Sequence, residues 1–148
     1  MIKRLVLLTV VCALAVGSGF AQASPNVTQA TPSASMVACR NVVKVPLQSG
    51  GFYFKCVGPY TLGIPHTVKS VQFLLGNKGM AKGSTMTLNL LDARTNQPVA
   101  RPLTLGPIQF DPGLWKITFF GPFPVFTLKV QIVYQGRPLA QTFLFRFT

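Results

Sequence analysis

The side chains able to move protons, attack carbonyls or hold metals are few in these 148 residues. There is one histidine, His66, two aspartates, Asp92 and Asp111, no glutamate, and three cysteines, Cys12, Cys39 and Cys56. Acid–base or nucleophilic catalysis needs a proton carrier, a partner that orients it and a nucleophile within hydrogen-bond reach. Here the histidine sits in GIPHT and the aspartates in LLDAR and QFDPG. These are three separate turn-like sequences, where aspartate has an ordinary role as a turn-starting acceptor. With no shared local signature, the residues argue against an enzyme and call for no cofactor. Metal chemistry fares no better. A structural zinc site takes about four ligands, commonly from closely spaced cysteine pairs. Soft thioethers suit copper(I), and Met36, Met80 and Met86 with His66 are the ligands on offer. Met86 alternates as a core residue and Met80 falls in a loop, so no metal site is assigned.

The remaining chemistry is sulfur chemistry. The chain opens MIKRLVLLTVVCALAVGSGFAQA, with Lys3 and Arg4 ahead of an apolar run from Leu5 to Val16 and then small residues ending Ala21-Gln22-Ala23. That is the three-part layout of a bacterial export signal, cut after Ala23. The run is too short to span a bilayer, which takes roughly 20 residues. Export to the periplasm, the cell surface or the medium is therefore expected. Cys12 leaves with the leader, and Cys39 and Cys56 remain as an even pair in an oxidising compartment. A disulfide is the expectation.

Its setting, CRNVVKVPLQSGGFYFKC, reads as a hairpin. With Pro46–Ser49 as the loop, Val45 faces Gly50, Val43 faces Phe52, Asn41 faces Phe54 and Cys39 faces Cys56. Directly opposed residues share a face, so this register gathers the sulfurs and the apolar side chains on one side. Closing such a loop contributes about 3 kcal/mol through the entropy of the unfolded chain.

The elements that must position these residues are strands. Residues 24–38, SPNVTQATPSASMVA, are uncharged, rich in Ser, Thr, Pro and Ala, and read as a flexible tether. Residues 39–148 form the folded domain. Beyond the hairpin, Thr67–Leu75 places Val71, Phe73 and Leu75 on one side, and STMTLNLL alternates Met86, Leu88 and Leu90 with Thr85, Thr87 and Asn89. Val99–Leu105 holds Pro102 and suits an edge. Trp115, Ile117 and Phe119 alternate with Lys116 and Thr118. FTLKVQIVY is the clearest strand, and LAQTFLFRF ends the chain with Phe143, Phe145 and Phe147 inward and Leu144 outward. Seven or eight short strands between Gly- and Pro-bearing turns predict an all-β antiparallel sandwich, immunoglobulin-like or fibronectin-like.

Charge carries the functional reading. Fourteen Lys and Arg face two Asp, a net of +12; removing Lys3 and Arg4 with the leader lowers it by two. Such a chain projects a positive field toward anionic surfaces. The candidate binding residues are Lys55, Lys78, Lys82, Lys116, Lys129 and Arg146. Phe120 and Phe123 in FFGPFPVF join them, because strand parity gives neither an inward role. If Phe123 does not fold back to plug the sandwich, the two form an apolar tip. The expected function is an exported, non-enzymatic binding module for an anionic envelope polymer, a lipid surface or an acidic envelope protein. Assembly through edge strands or through the tip is the alternative, motivated by Leu144. Nucleic acid comes third, because outward aromatics for base stacking are few.

Overall fold

The computed structural model describes Ala13–Ala15 and residues 31–148. The leader, apart from those three residues, and residues 24–30 of the tether lie outside the described residues. The described residues form nine strands: β1 (Ala13–Ala15), β2 (Ser33–Pro46), β3 (Phe52–Pro59), β4 (Ser70–Lys78), β5 (Met86–Asp92), β6 (Leu103–Leu105), β7 (Gly113–Phe120), β8 (Phe126–Tyr134) and β9 (Arg137–Phe147). They make two antiparallel sheets, ordered β1-β7-β4-β2-β3 and β6-β5-β8-β9, and no helix occurs among the described residues. The sheets face each other across one core, as in a sandwich.

The period-two alternation of the sequence builds that core. Met36, Leu75 and Trp115 form one cross-strand row, and Ala38, Phe73 and Ile117 the next. From the second sheet come Met86, Leu88 and Leu90 of β5 and Leu128, Val130 and Ile132 of β8, all buried. Phe73 bridges the layers, with its ring edge-on to Phe119 at 5.1 Å and to Phe145 at 4.7 Å. The β8–β9 turn is a tight two-residue loop. Gln135 and Gly136 take φ of 51° and 73° between paired Tyr134 and Arg137, the twist-matched geometry that hairpins favour.

Two expectations need correction. The tether is shorter than predicted, since Ser33–Ala38 belongs to β2 and pairs with Lys78–Phe73 of β4. Small side chains in that stretch, Ala34 and Ala38, are buried; their low hydrophobicity hides a strand from composition-based reading. Met80 lies in its expected loop yet belongs to the core, at 2% exposed. Its loop is held by Asp111, whose carboxylate accepts from Gly79 N at 2.7 Å, and by Tyr134, whose hydroxyl accepts from Ala81 N at 2.8 Å. The loop thereby closes one end of the sandwich.

The second correction concerns the hairpin register. Pro46 pairs with Phe52, Val42 with Cys56 and Cys39 with Pro59, three residues from the predicted pairing. The turn runs over residues 47–51, closed by Gly50 N on Leu47 O and Leu47 N on Gly51 O. Gly50 and Gly51 both take positive φ, 85° and 83°, so the glycines are turn residues rather than the start of a strand. The disulfide nonetheless forms between Cys39 and Cys56, with Cα atoms 5.6 Å apart.

The pair meets because β2 leaves the plane of its sheet. Up to Cys39 it pairs with β4, and from Asn41 onward with β3 alone. The hairpin then lies over the outer face of the first sheet. Val37, Leu74 and Leu114 on that face pack against Cys39, Val42 and Phe54 as a second small core, with Phe52 and Cys56 at its margin. Gln72 accepts from Val42 N, and the Lys116 ammonium donates to Val42 O at 3.2 Å. The sandwich therefore carries a clamped third layer on one side.

Candidate functional site

One end of the sandwich is made by the segment before β4, the β5–β6 connection, the β7–β8 connection and the end of the chain. FFGPFPVF sits here. Phe123 is 4% exposed and stacks on Phe147 at 4.8 Å, and Phe126 stacks on the same ring at 5.3 Å. Phe123 is therefore a plug, not part of an exposed tip. Of the candidate pair only Phe120 keeps exposure, at 38%. Parity could not place Phe123, because it lies in a loop between two prolines where alternation does not apply.

His66 also sits at this end. Its Nδ1 lies 2.8 Å from Thr148 O, and its backbone N–H donates to the same oxygen. The Ile64 N–H donates to Arg146 O, and the Thr148 N–H to Ile64 O. Together these contacts tie the chain end to the Ile64 segment. Asp92 accepts from Arg94 N at 2.8 Å and starts a turn here, whereas Asp111 holds Gly79 at the opposite end. Histidine and aspartates thus serve three local backbone structures. Among the described residues no three His, Cys, Asp or Glu are grouped to hold a metal.

The cations are more informative. Beside the Phe123–Phe147–Phe126 stack is a cleft of about 560 Å³, lined by Asp92, Arg94, Val125, Thr127, Arg146 and Phe147 among others. Two elements bring its arginines in. Thr127 of β8 pairs with Arg146 of β9, which puts the guanidinium on the outward face. The turn that Asp92 starts carries Arg94, and Ala93 N–H fastens that turn to Thr127 O. Two residue pairs along β8, Lys129 faces Leu144, and its ammonium donates to Asn96 Oδ1 at 3.2 Å in the same turn. Arg94 and Arg146 thus line a cleft that holds a single carboxylate, one of whose oxygens already serves the Arg94 amide, and Lys129 is held on Asn96 of the neighbouring turn. Val125, 68% exposed, adds an apolar lip. Two exposed guanidiniums over an apolar floor can take a phosphate or carboxylate in forked hydrogen bonds, a geometry lysine cannot supply.

Of the sequence-predicted residues, the fold brings Arg146 into this cleft and Lys129 onto the adjoining Asn96 turn, and disperses the rest. Lys78 and Lys82 flank the Met80 loop at the other end. Lys55 lies exposed on β3, and Lys116 is half-buried beneath the hairpin on Val42 O. Arg94 is the member that sequence reasoning missed. Its only signal was a cation two residues after a turn-starting aspartate at a strand end, too common a pattern to select. Compared with known families, with curated proteins and with solved structures, the chain matches none.

Proposed function

We propose that the chain is an exported, non-enzymatic sandwich that docks on an anionic component of the cell envelope, or on an acidic partner protein, through the Arg94–Lys129–Arg146 end. The cleft carries this reading: Arg94 from the turn after β5 and Arg146 from β9 meet there, opposed by one engaged carboxylate, with Lys129 of β8 held on the adjoining turn. The leader and the Cys39–Cys56 disulfide support export, since such bonds persist in oxidising compartments.

The strand order supports a fibronectin-like class. With β3 set aside as an inserted strand, β2, β4 and β7 form one sheet and β6, β5, β8 and β9 the other. Lettered in chain order, these sheets take the places of strands A, B and E and of C′, C, F and G of an immunoglobulin-type sandwich.

The test uses the processed chain with long-chain polyphosphate and with phosphatidylglycerol vesicles as probes. Binding is expected at low salt and is expected to fall steeply as screening shortens the Debye length from about 10 Å at 0.1 M to about 3 Å at 1 M. The Arg94→Gln/Arg146→Gln double variant is expected to weaken binding by about tenfold or more, as loss of two charge-assisted contacts implies. Unchanged binding in the double variant would place the contact elsewhere.

A further inference from the structure

A sheet edge is a row of unpaired backbone groups, and folded chains guard it with charge, proline or brevity. Most edges of this sandwich are guarded. β6 has three residues between Pro102 and Pro107. β9 begins Arg137-Pro138 and is tied at its end by Ile64. β3 carries Lys55 and ends at Pro59. β7 is different. It is eight residues long, GLWKITFF, and its one cation is turned away beneath the hairpin onto Val42 O. Among the described residues, Lys116–Phe120 has no strand partner on the side away from β4.

β1 is the strand seated on this edge. It runs antiparallel, with Ala13 opposite Trp115, Leu14 opposite Leu114 and Ala15 opposite Gly113, and it also touches β3 of the overlying hairpin. Those residues fall in the apolar run read as the export leader. On that reading, on which this inference rests, cleavage after Ala23 removes β1, frees Gly113–Trp115 and leaves the whole edge from Gly113 to Phe120 open. We infer that this edge of the exported chain takes an extended, apolar, small-residue segment of a partner chain by antiparallel strand addition, in the register that β1 occupies. Backbone bonds supply affinity in such additions, and alternate side chains supply selectivity. The strands of residues 31–148 mix polar with apolar residues, whereas Val10–Val16 is apolar throughout. That contrast favours a partner chain over a second copy.

The test starts with protein collected after export, its mass read to locate the N-terminus. It is then mixed with a peptide of Thr9–Val16, Cys12→Ser, carrying a neutral Ser-Gly-Asn tail, or with the same peptide bearing Leu14→Pro. Hydrogen exchange across Gly113–Phe120 reports occupancy. The processed chain is expected to bind only the first peptide, with exchange over Gly113–Trp115 slowed about tenfold or more. An intact leader would overturn both this inference and the cleavage after Ala23 on which it rests. A processed chain that ignores the peptide, or binds both peptides equally, would overturn the docking inference alone. Self-association that protects β7 without peptide would replace the partner with a second copy.

Discussion

Asn77 shows how a polar residue can be a core residue. It is 2% exposed, receives the Trp115 indole N–H on Oδ1 at 2.7 Å and donates from Nδ2 to Phe110 O at 3.1 Å. In sequence it falls just past the alternating run Thr67–Leu75. Its burial follows from β4 running on to Lys78, which parity along Val71, Phe73 and Leu75 allows but does not demand. Removing it strands a buried donor and a buried acceptor, so Asn77→Ala is expected to cost about 2 kcal/mol. The check is a lowered urea midpoint with an unchanged slope. The two phenylalanines of the tip separate in the same assay. Phe123→Ala is expected to cost about 3 kcal/mol or more, as a buried aromatic, and Phe120→Ala under about 1 kcal/mol, as a half-exposed one. Equal costs would contradict the plug.

At the scale of elements, most strands were legible because each has one wet face, and the alternation that makes a wet face is written in the residues. β4, β5, β7, β8 and β9 all appear where the alternation puts them, within a few residues at their ends. Two things were not legible. The hairpin register depends on Gly50 and Gly51 adopting left-handed backbone, and a glycine pair reads equally well as turn or as strand start. The third layer depends on outward Leu74 and Leu114 finding a cover, and alternation alone reports them as mere exceptions. The disulfide clamps that cover across 17 residues of sequence. The Cys39→Ala/Cys56→Ala variant is expected to lose about 3 kcal/mol. Exchange is expected to rise first over residues 41–57 while β4 and β8 stay protected, because the main core does not depend on the clamp. Simultaneous loss of protection in both regions would mean that the hairpin is integral to the sandwich.

At the scale of the whole molecule, the charge excess was plain in the composition but its distribution was not. Lys78 and Lys82 lie at one end, Lys55 on the hairpin, and Arg94, Lys129 and Arg146 at the other end, because turns and strand faces from distant sequence positions converge only on folding. On the function proposed above, the cleft at that last end is where a general positive field becomes a specific recognition geometry. The most direct measurement is affinity for polyphosphate against salt concentration, taken for the processed chain and for its Arg94→Gln/Arg146→Gln variant. The account predicts a steep fall for the first, and for the second weaker binding with a shallower dependence, since fewer charges are engaged. Superimposable salt curves for the two proteins, or binding indifferent to salt in both, would contradict it.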